Sequence, residues 1–265
     1  MKFITPADFP PARGTLTITE DTTLQIGAGQ AVTIDFNIKA SGAGANFFIE
    51  NYGDLLGYYC VFYADTGGTI TIHNHAVTGN LTWNDFIAVI DNGALTVTNG
   101  NVLKANGGFT VSLPGGTGNF TMENDGRLEL EKLNINVYGG TVAINNRNLL
   151  SGVSLNILDQ FDGTRLNNTG ALTFGALNLT SNGASGLIDF QNGGTVRTGA
   201  LNGNANYGGQ ITIDTQNGTL WTGTLSLRAL GSSHGVQSKI TVLGTIRDHC
   251  QDCQVLFLPL ILNNP

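Results

Sequence analysis

Apolar and polar residues alternate with period two in short runs along almost the whole chain. The clearest are TLTIT at 15–19, AVTIDFNI at 31–38, GTITIH at 68–73, ALTVT at 94–98, GFTVSL at 108–113, RLELE at 127–131, LNINV at 133–137, SLNIL at 154–158, QITID at 210–214 and KITVL at 239–243. Successive side chains of a strand point to opposite faces, so this pattern predicts half-buried strands, rich in the β-branched residues that suit them. No window sustains the i, i+3, i+4, i+7 spacing of an amphipathic helix. Turn pairs separate the runs: Asn-Gly at 92–93, 99–100, 106–107, 192–193 and 217–218, and Gly-Gly at 67–68, 107–108, 139–140 and 208–209.

A repeat chooses among the architectures that many short strands allow. The segments GALTFGALNL from Gly170, GTVRTGALN from Gly194 and GTLWTGTLSL from Gly218 share the phrase G-x-[LV]-x-x-G-x-L. Each is followed by a polar Gly-containing turn and a second alternating run. Related phrases begin at Asn92 and Asp125, which predicts a unit of roughly 25 residues with longer excursions of about 33 and 40 upstream. This predicts an all-β, right-handed parallel β-helix of eight or so coils, a rod of roughly 40 Å at the strand spacing. Leu172, Val196 and Leu220 should stack, as should Leu177, Leu201 and Leu225, with glycines turning corners at positive φ and Asn laddering between coils. A Greek-key β-sandwich is the alternative.

The ends depart from the repeat. Residues 1–13 hold Pro6, Pro10 and Pro11 and read as an extended arm; 14–246 form the β-helix domain; 247–265 form a tail. The tail contains the most apolar run of the chain, Val255, Leu256, Phe257, Leu258, Leu260, Ile261 and Leu262 around Pro259. Open solenoid ends leave unpaired edges, so this run either caps the last coil or docks as a strand on a neighbouring subunit.

Composition narrows the partners. Charged residues make up 12% and the net charge is −7, without a Lys/Arg run, which argues against nucleic acid and anionic membranes. No apolar run is long enough to span a bilayer. The N-terminus has no apolar signal segment or small-residue cleavage site, as expected either of a protein used without Sec export or of a chain numbered after processing, and Met1 favours the former. Glycine, at 37 of 265 residues, is about double its usual share. The surface must therefore be clad in Asn, Thr, Ser, Gly and Gln.

Several groups could carry chemistry. His249, Cys250 and Cys253 form H-C-x-x-C, three metal-type ligands without a fourth, and equally suit a disulfide or inert thiols. His73 and His75 alternate and so face the same side of a strand, where they suit a metal pair, an acid–base role or, more simply, solvated surface residues. Paired carboxylates of a polysaccharide-cleaving groove could come from Asp159 with Asp162, Asp85 with Asp91, or Glu123 with Asp125, although turn chemistry accounts for Asp at such places. The densest aromatic stretch, Tyr58, Tyr59, Phe62 and Tyr63, followed by Trp83 and Phe86, falls in one of the long excursions and suits contact with a partner or glycan, or else a larger core. No phosphate loop, nucleophile elbow, HExxH or EF-hand loop occurs, and no cofactor is expected.

The coil phrase, the Gly/Asn/Thr surface, the missing signal and the apolar tail resemble parallel β-helix proteins of bacteriophage virions: tail spikes, tail fibres and head decorations. The resemblance covers residues 14–246 at the level of fold. It implies a homo-oligomer, a trimer first, attached to other virion proteins through its ends and touching host-surface glycan, in the virion or otherwise extracellular. It implies a non-enzymatic structural or attachment component; the alternatives are a tail-spike depolymerase and a secreted adhesin or filament subunit.

Overall fold

In the computed structural model the described residues are 2–248, together with the backbone of the strands Leu256–Phe257 and Leu260–Asn263. The chain is a parallel β-solenoid of about ten turns, and no α-helix occurs among the described residues. Each regular turn contributes one strand of five or six residues to a first sheet and one of eleven or twelve to a second. The short strands include Asn46–Asn51, Thr69–Asn74, Ala94–Asn99, Asn119–Asn124, Thr141–Asn146, Thr164–Asn168 and Leu187–Asn192. The long strands run Asp54–Asp65, Asn80–Asp91, Val102–Leu113, Arg127–Val137, Leu149–Asp159, Ala171–Asn182, Thr195–Asn206 and Thr219–Leu230. All pairs between successive turns are parallel from Lys2–Ile4 to Thr245–Asp248, a topology incompatible with a Greek-key sandwich.

Each long strand bends at its middle. In Ala171–Asn182 the inward residues are Leu172 and Phe174, then Leu177, Leu179 and Ser181, so the alternation slips by one residue at Gly175. The first turns show the same bend as a break, with Ala31–Ile34 and Asn37–Ser41 both pairing with Asp54–Asp65. The bend gives the rod three sides around an apolar core.

The predicted stacks are present: Leu172 pairs with Val196 and Val196 with Leu220, while Leu177 pairs with Leu201 and Leu201 with Leu225. The predicted excursions are not. The starts of the long strands at Asp54, Asn80, Val102, Arg127, Leu149, Ala171, Thr195 and Thr219 allow every turn only 22–26 residues. The phrase at Asn92 opens a short strand and the phrase at Asp125 a long one. Both faces alternate in the same way, so matching one to the other produced false periods. Ten turns rather than eight give a rod of roughly 48 Å.

The phrase glycines also work differently from the expectation. Gly170, Gly175, Gly194, Gly199, Gly218 and Gly223 do not have positive φ. A Cβ on Gly199 would lie 2.6 Å from the carbonyl oxygen of Gly175, and one on Gly223 2.8 Å from that of Gly199. These glycines let the backbone of one turn lie against the carbonyls of the turn beneath. Positive φ gathers mainly at the corner that returns to the short strands, as at Gly67 and Gly140, with Gly29 and Gly244 at the opposite corner.

Asn ladders between turns, and its members are buried. Asn51, Asn74, Asn99, Asn124, Asn146, Asn168 and Asn192 each end a short strand and lie inside the corner. Each of the first six donates through Nδ2 to Oδ1 of the next, at 2.7–2.8 Å. The same amide donates to the carbonyl that opens a long strand of the next turn, as from Asn146 to Ala171 at 3.0 Å. The buried amide thus closes the corner and fixes the distance to the next turn, at no cost in unpaired polar groups.

The two ends close onto this frame. Lys2–Ile4 pairs with Thr22–Leu24 and so begins the first sheet; Pro6–Asp8 forms a 3-10 turn, and Phe9 packs on Phe36 at 4.8 Å. The N-terminal segment thus supplies the starting strand of the first sheet. In the tail, Leu256–Phe257 pairs antiparallel with Thr245–Ile246, and Leu260–Asn263 with Lys239–Val242. These two strands lie on the last coil of their own chain.

Candidate functional site

The core stacks treat the aromatic stretch unevenly. Phe62, Trp83 and Phe86 are buried, with Phe62 stacked on Phe86 at 4.8 Å and Phe86 on Phe109 at 4.0 Å. Trp83 lies over the bend of the preceding turn, where a Cβ on Gly57 would fall 1.5 Å from its ring. The same inward column pairs Gly152 with Phe174 one turn later, so a missing side chain in one turn is filled by a large one in the next. Phe62, Trp83 and Phe86 are thus core residues, in line with the larger-core alternative, and their side chains present no surface to a partner or glycan. The stretch is also no excursion, since Tyr58–Tyr63 lies within the regular strand Asp54–Asp65.

Tyr58 and Tyr59 are exposed and Tyr63 is half-buried on the outside. Register joins them to residues that sequence reasoning missed. Val61 pairs with Ile87 and Tyr63 with Val89, so Tyr59, Val61, Tyr63, Ile87 and Val89 form an outward apolar patch across two turns. A surface depression of about 400 Å³ lined by Arg13, Asn37, Tyr59 and Val61 borders it. Followed along the rod, the Val61–Ile87 row becomes Thr110, Asn134, Asn156, Asn178 and Asn202. There Asn202 donates to Asn178, Asn178 to Asn156 and Asn156 to Asn134, at 2.7–2.8 Å.

On the first sheet, the strand ends bring together a cluster with a member not foreseen from sequence. His73 pairs with Glu50 of the preceding turn, and His75 follows at the corner. The Glu50 Oε2 atom lies 2.7 Å from Nε2 of His75 and 3.4 Å from Nδ1 of His73. The His75 ring stacks on Tyr52 at 3.7 Å and on His73 at 3.9 Å.

Five of the six candidate carboxylates are otherwise engaged, Asp91 by the Asn92 amide that donates to it at 3.1 Å. Arg147 bridges Glu123 and Asp125, at 2.6 and 2.9 Å. Asp162 accepts the Gly140 N–H at 2.9 Å. Asp159 is fully buried; burial pushes its carboxyl up to about 7, against the Thr164 hydroxyl that donates to it at 2.6 Å. A second depression, of about 340 Å³, is lined by Lys104, Glu129 and Glu131 among others. Burial raises the Glu129 pKa, but the hydrogen bonds and charges of Lys104 and Arg127 together outweigh it and hold the carboxyl below its usual range.

Cys60 is buried and donates to the Ile34 carbonyl at 3.3 Å; burial pushes its thiol up to about 12, which keeps it protonated and unreactive. His249, Cys250, Cys253, Val255 and Leu258 lie outside the described residues, and Leu256, Phe257, Leu260, Ile261 and Leu262 are described in backbone alone. Comparison with known family models, with characterised proteins and with solved structures gives no match for this chain.

Proposed function

We propose that this protein is a non-enzymatic structural or attachment component of a virion, of the tail-fibre, tail-spike or capsid-decoration kind, that assembles as a homo-oligomer, a trimer first. The observation that carries the reading is the outward patch of Tyr59, Val61, Tyr63, Ile87 and Val89, in which apolar side chains stand together on two successive turns where the Val61–Ile87 row later carries laddered Asn. A rod with an apolar region on two neighbouring turns suits lateral association of identical copies, since apolar area removed from water drives association while the laddered Asn faces keep their own partners. Tyr59 beside Arg13 and Asn37 offers an aromatic face with polar neighbours, the combination that suits a surface glycan. The tail, paired with its own last coil, serves in this reading to cap the rod, and subunit contact passes from Val255–Leu262 to the patch.

Light scattering coupled to size exclusion tests this on the full chain. The expected mass is a small multiple of the 27.8 kDa chain, three first; a monomer at high concentration overturns the oligomeric reading. Incubation with host capsule or lipopolysaccharide should release no new reducing or unsaturated ends. Their release would replace this reading with a polysaccharide depolymerase.

A further inference from the structure

We propose that Glu50, His73 and His75 form a binding site for a divalent first-row transition metal, Zn²⁺ above all. One ligand atom from each lies within 4.8 Å of the others, and no other such group of three occurs among the described residues. Two imidazoles and one carboxylate are a donor set that zinc accepts with a fourth position left open, whereas Ca²⁺ and Mg²⁺ demand oxygen ligands.

Coordination would need small side-chain movements on a fixed backbone. Tetrahedral zinc with bonds of about 2.0–2.1 Å holds its ligand atoms about 3.3 Å apart. The 3.4 Å between His73 Nδ1 and Glu50 Oε2 already matches that separation. The 2.7 Å between His75 Nε2 and the same oxygen is a hydrogen bond, which an ion would replace by a modest opening. The backbone beneath is fixed, because Glu50 and His73 are register partners in a parallel ladder and the His75 N–H donates to the Asn51 carbonyl at 3.0 Å. Tyr52 stacks on the His75 ring at 3.7 Å and holds its plane, while His73, stacked on the same ring at 3.9 Å and 30°, would turn about its side-chain bonds to aim its nitrogen at the same ion. Ligands held on a rigid scaffold lose little freedom on binding, which favours affinity. The three side chains are only partly exposed, at 30% for Glu50, 40% for His73 and 22% for His75, so an ion would have a walled seat with one open side.

The thiols of Cys250 and Cys253 could also take zinc, so the test uses the full chain carrying Cys250→Ser and Cys253→Ser. Calorimetric titration with ZnCl₂ should give one site per chain, and CoCl₂ should give the visible ligand-field absorption of a four-coordinate site. His75→Ala should weaken zinc by about 100-fold or more, and Tyr52→Leu, which removes only the ring support, by about 10-fold. Glu50→Gln, which keeps the shape of the side chain, should also weaken zinc strongly and guards against misfolding of the histidine variant, with circular dichroism as the check on each. MgCl₂ should not compete. No zinc bound at millimolar concentration, or one site retained in both His75→Ala and Glu50→Gln, overturns the proposal.

Discussion

The turns at Asp54–Asp91 and those at Ala171–Asn206 share one interior plan and differ on the outside. Inside, Cys60 over Phe86 occupies the column that Leu177 over Leu201 fills later. Outside, Val61 and Ile87 stand where Asn178 and Asn202 stand, and Tyr63 and Val89 where Thr180 and Asn204 stand. In the later turns the outward amides bond to each other, so a partner would have to break those bonds to dock. In the earlier turns the outward side chains make no directional bonds, and covering them removes apolar surface from water. The repeat thus carries the fold, and departures from it mark where the rod can interact.

The largest effect should separate inner from outer Asn. Asn146 accepts from Asn124, and donates to Asn168 at 2.7 Å and to the Ala171 carbonyl at 3.0 Å, all inside the corner. Asn146→Ala strands these groups at about 1–3 kcal/mol each, so we expect a loss of about 4 kcal/mol in urea unfolding. Asn178→Ala, in the half-buried outer ladder, should cost within about 1 kcal/mol because water replaces its partners. Equal losses would erase the distinction between a ladder that holds the corner and one that clads the surface.

The inner ladder also shows what the sequence made legible. The stacks of Leu172, Val196 and Leu220 could be read because alternation and the Gly-x-Leu phrase coincide there. The even turn length was obscured because the two faces of a coil alternate alike. A better signal was present: the triplet of apolar residue, polar residue and Asn at 49–51, 72–74, 97–99, 122–124, 144–146, 166–168 and 190–192. Each marks the end of a short strand, and counting from it sets Glu50 one turn before His73. The burial of Trp83 could not be read, because it depends on Gly57 in another turn. Nor could that of Asp159, whose LDQFDG context reads as an ordinary turn.

Asp159 offers the next sharpest contrast. Its inward row reads Leu113 and Val137 in the earlier turns, then Asp159, Ser181 and Ala205. Burial raises its carboxyl from 3.8 to about 7, so between those pH values the unfolded chain has lost a proton that the folded chain keeps. Stability from this group is therefore fully present below about pH 4, falls as pH rises through the window, and is gone above about pH 7. Asp159→Asn removes the ionisation while retaining an oxygen for the Thr164 hydroxyl. It should raise stability at pH 8 by on the order of 3 kcal/mol and flatten the decline from pH 4 to 7. An unchanged pH profile in urea unfolding would mean that this corner admits water and does not penalise the charge.

The smallest effect on stability should be the most telling for association. Ile87→Lys and Asn178→Lys change the same outward row, one in the patch and one in the ladder. The lysine stem can lie along the face while its ammonium reaches water, so each variant should unfold within about 0.5 kcal/mol of the parent. Their masses in solution should nevertheless differ. A charge in the patch must be desolvated when copies meet, and Ile87→Lys should shift the protein to monomer at micromolar concentration. Asn178→Lys, outside the patch, should leave the oligomer intact. If instead Asn178→Lys dissociates it and Ile87→Lys does not, the copies meet through the amide-clad face, and the apolar patch is free for a different partner.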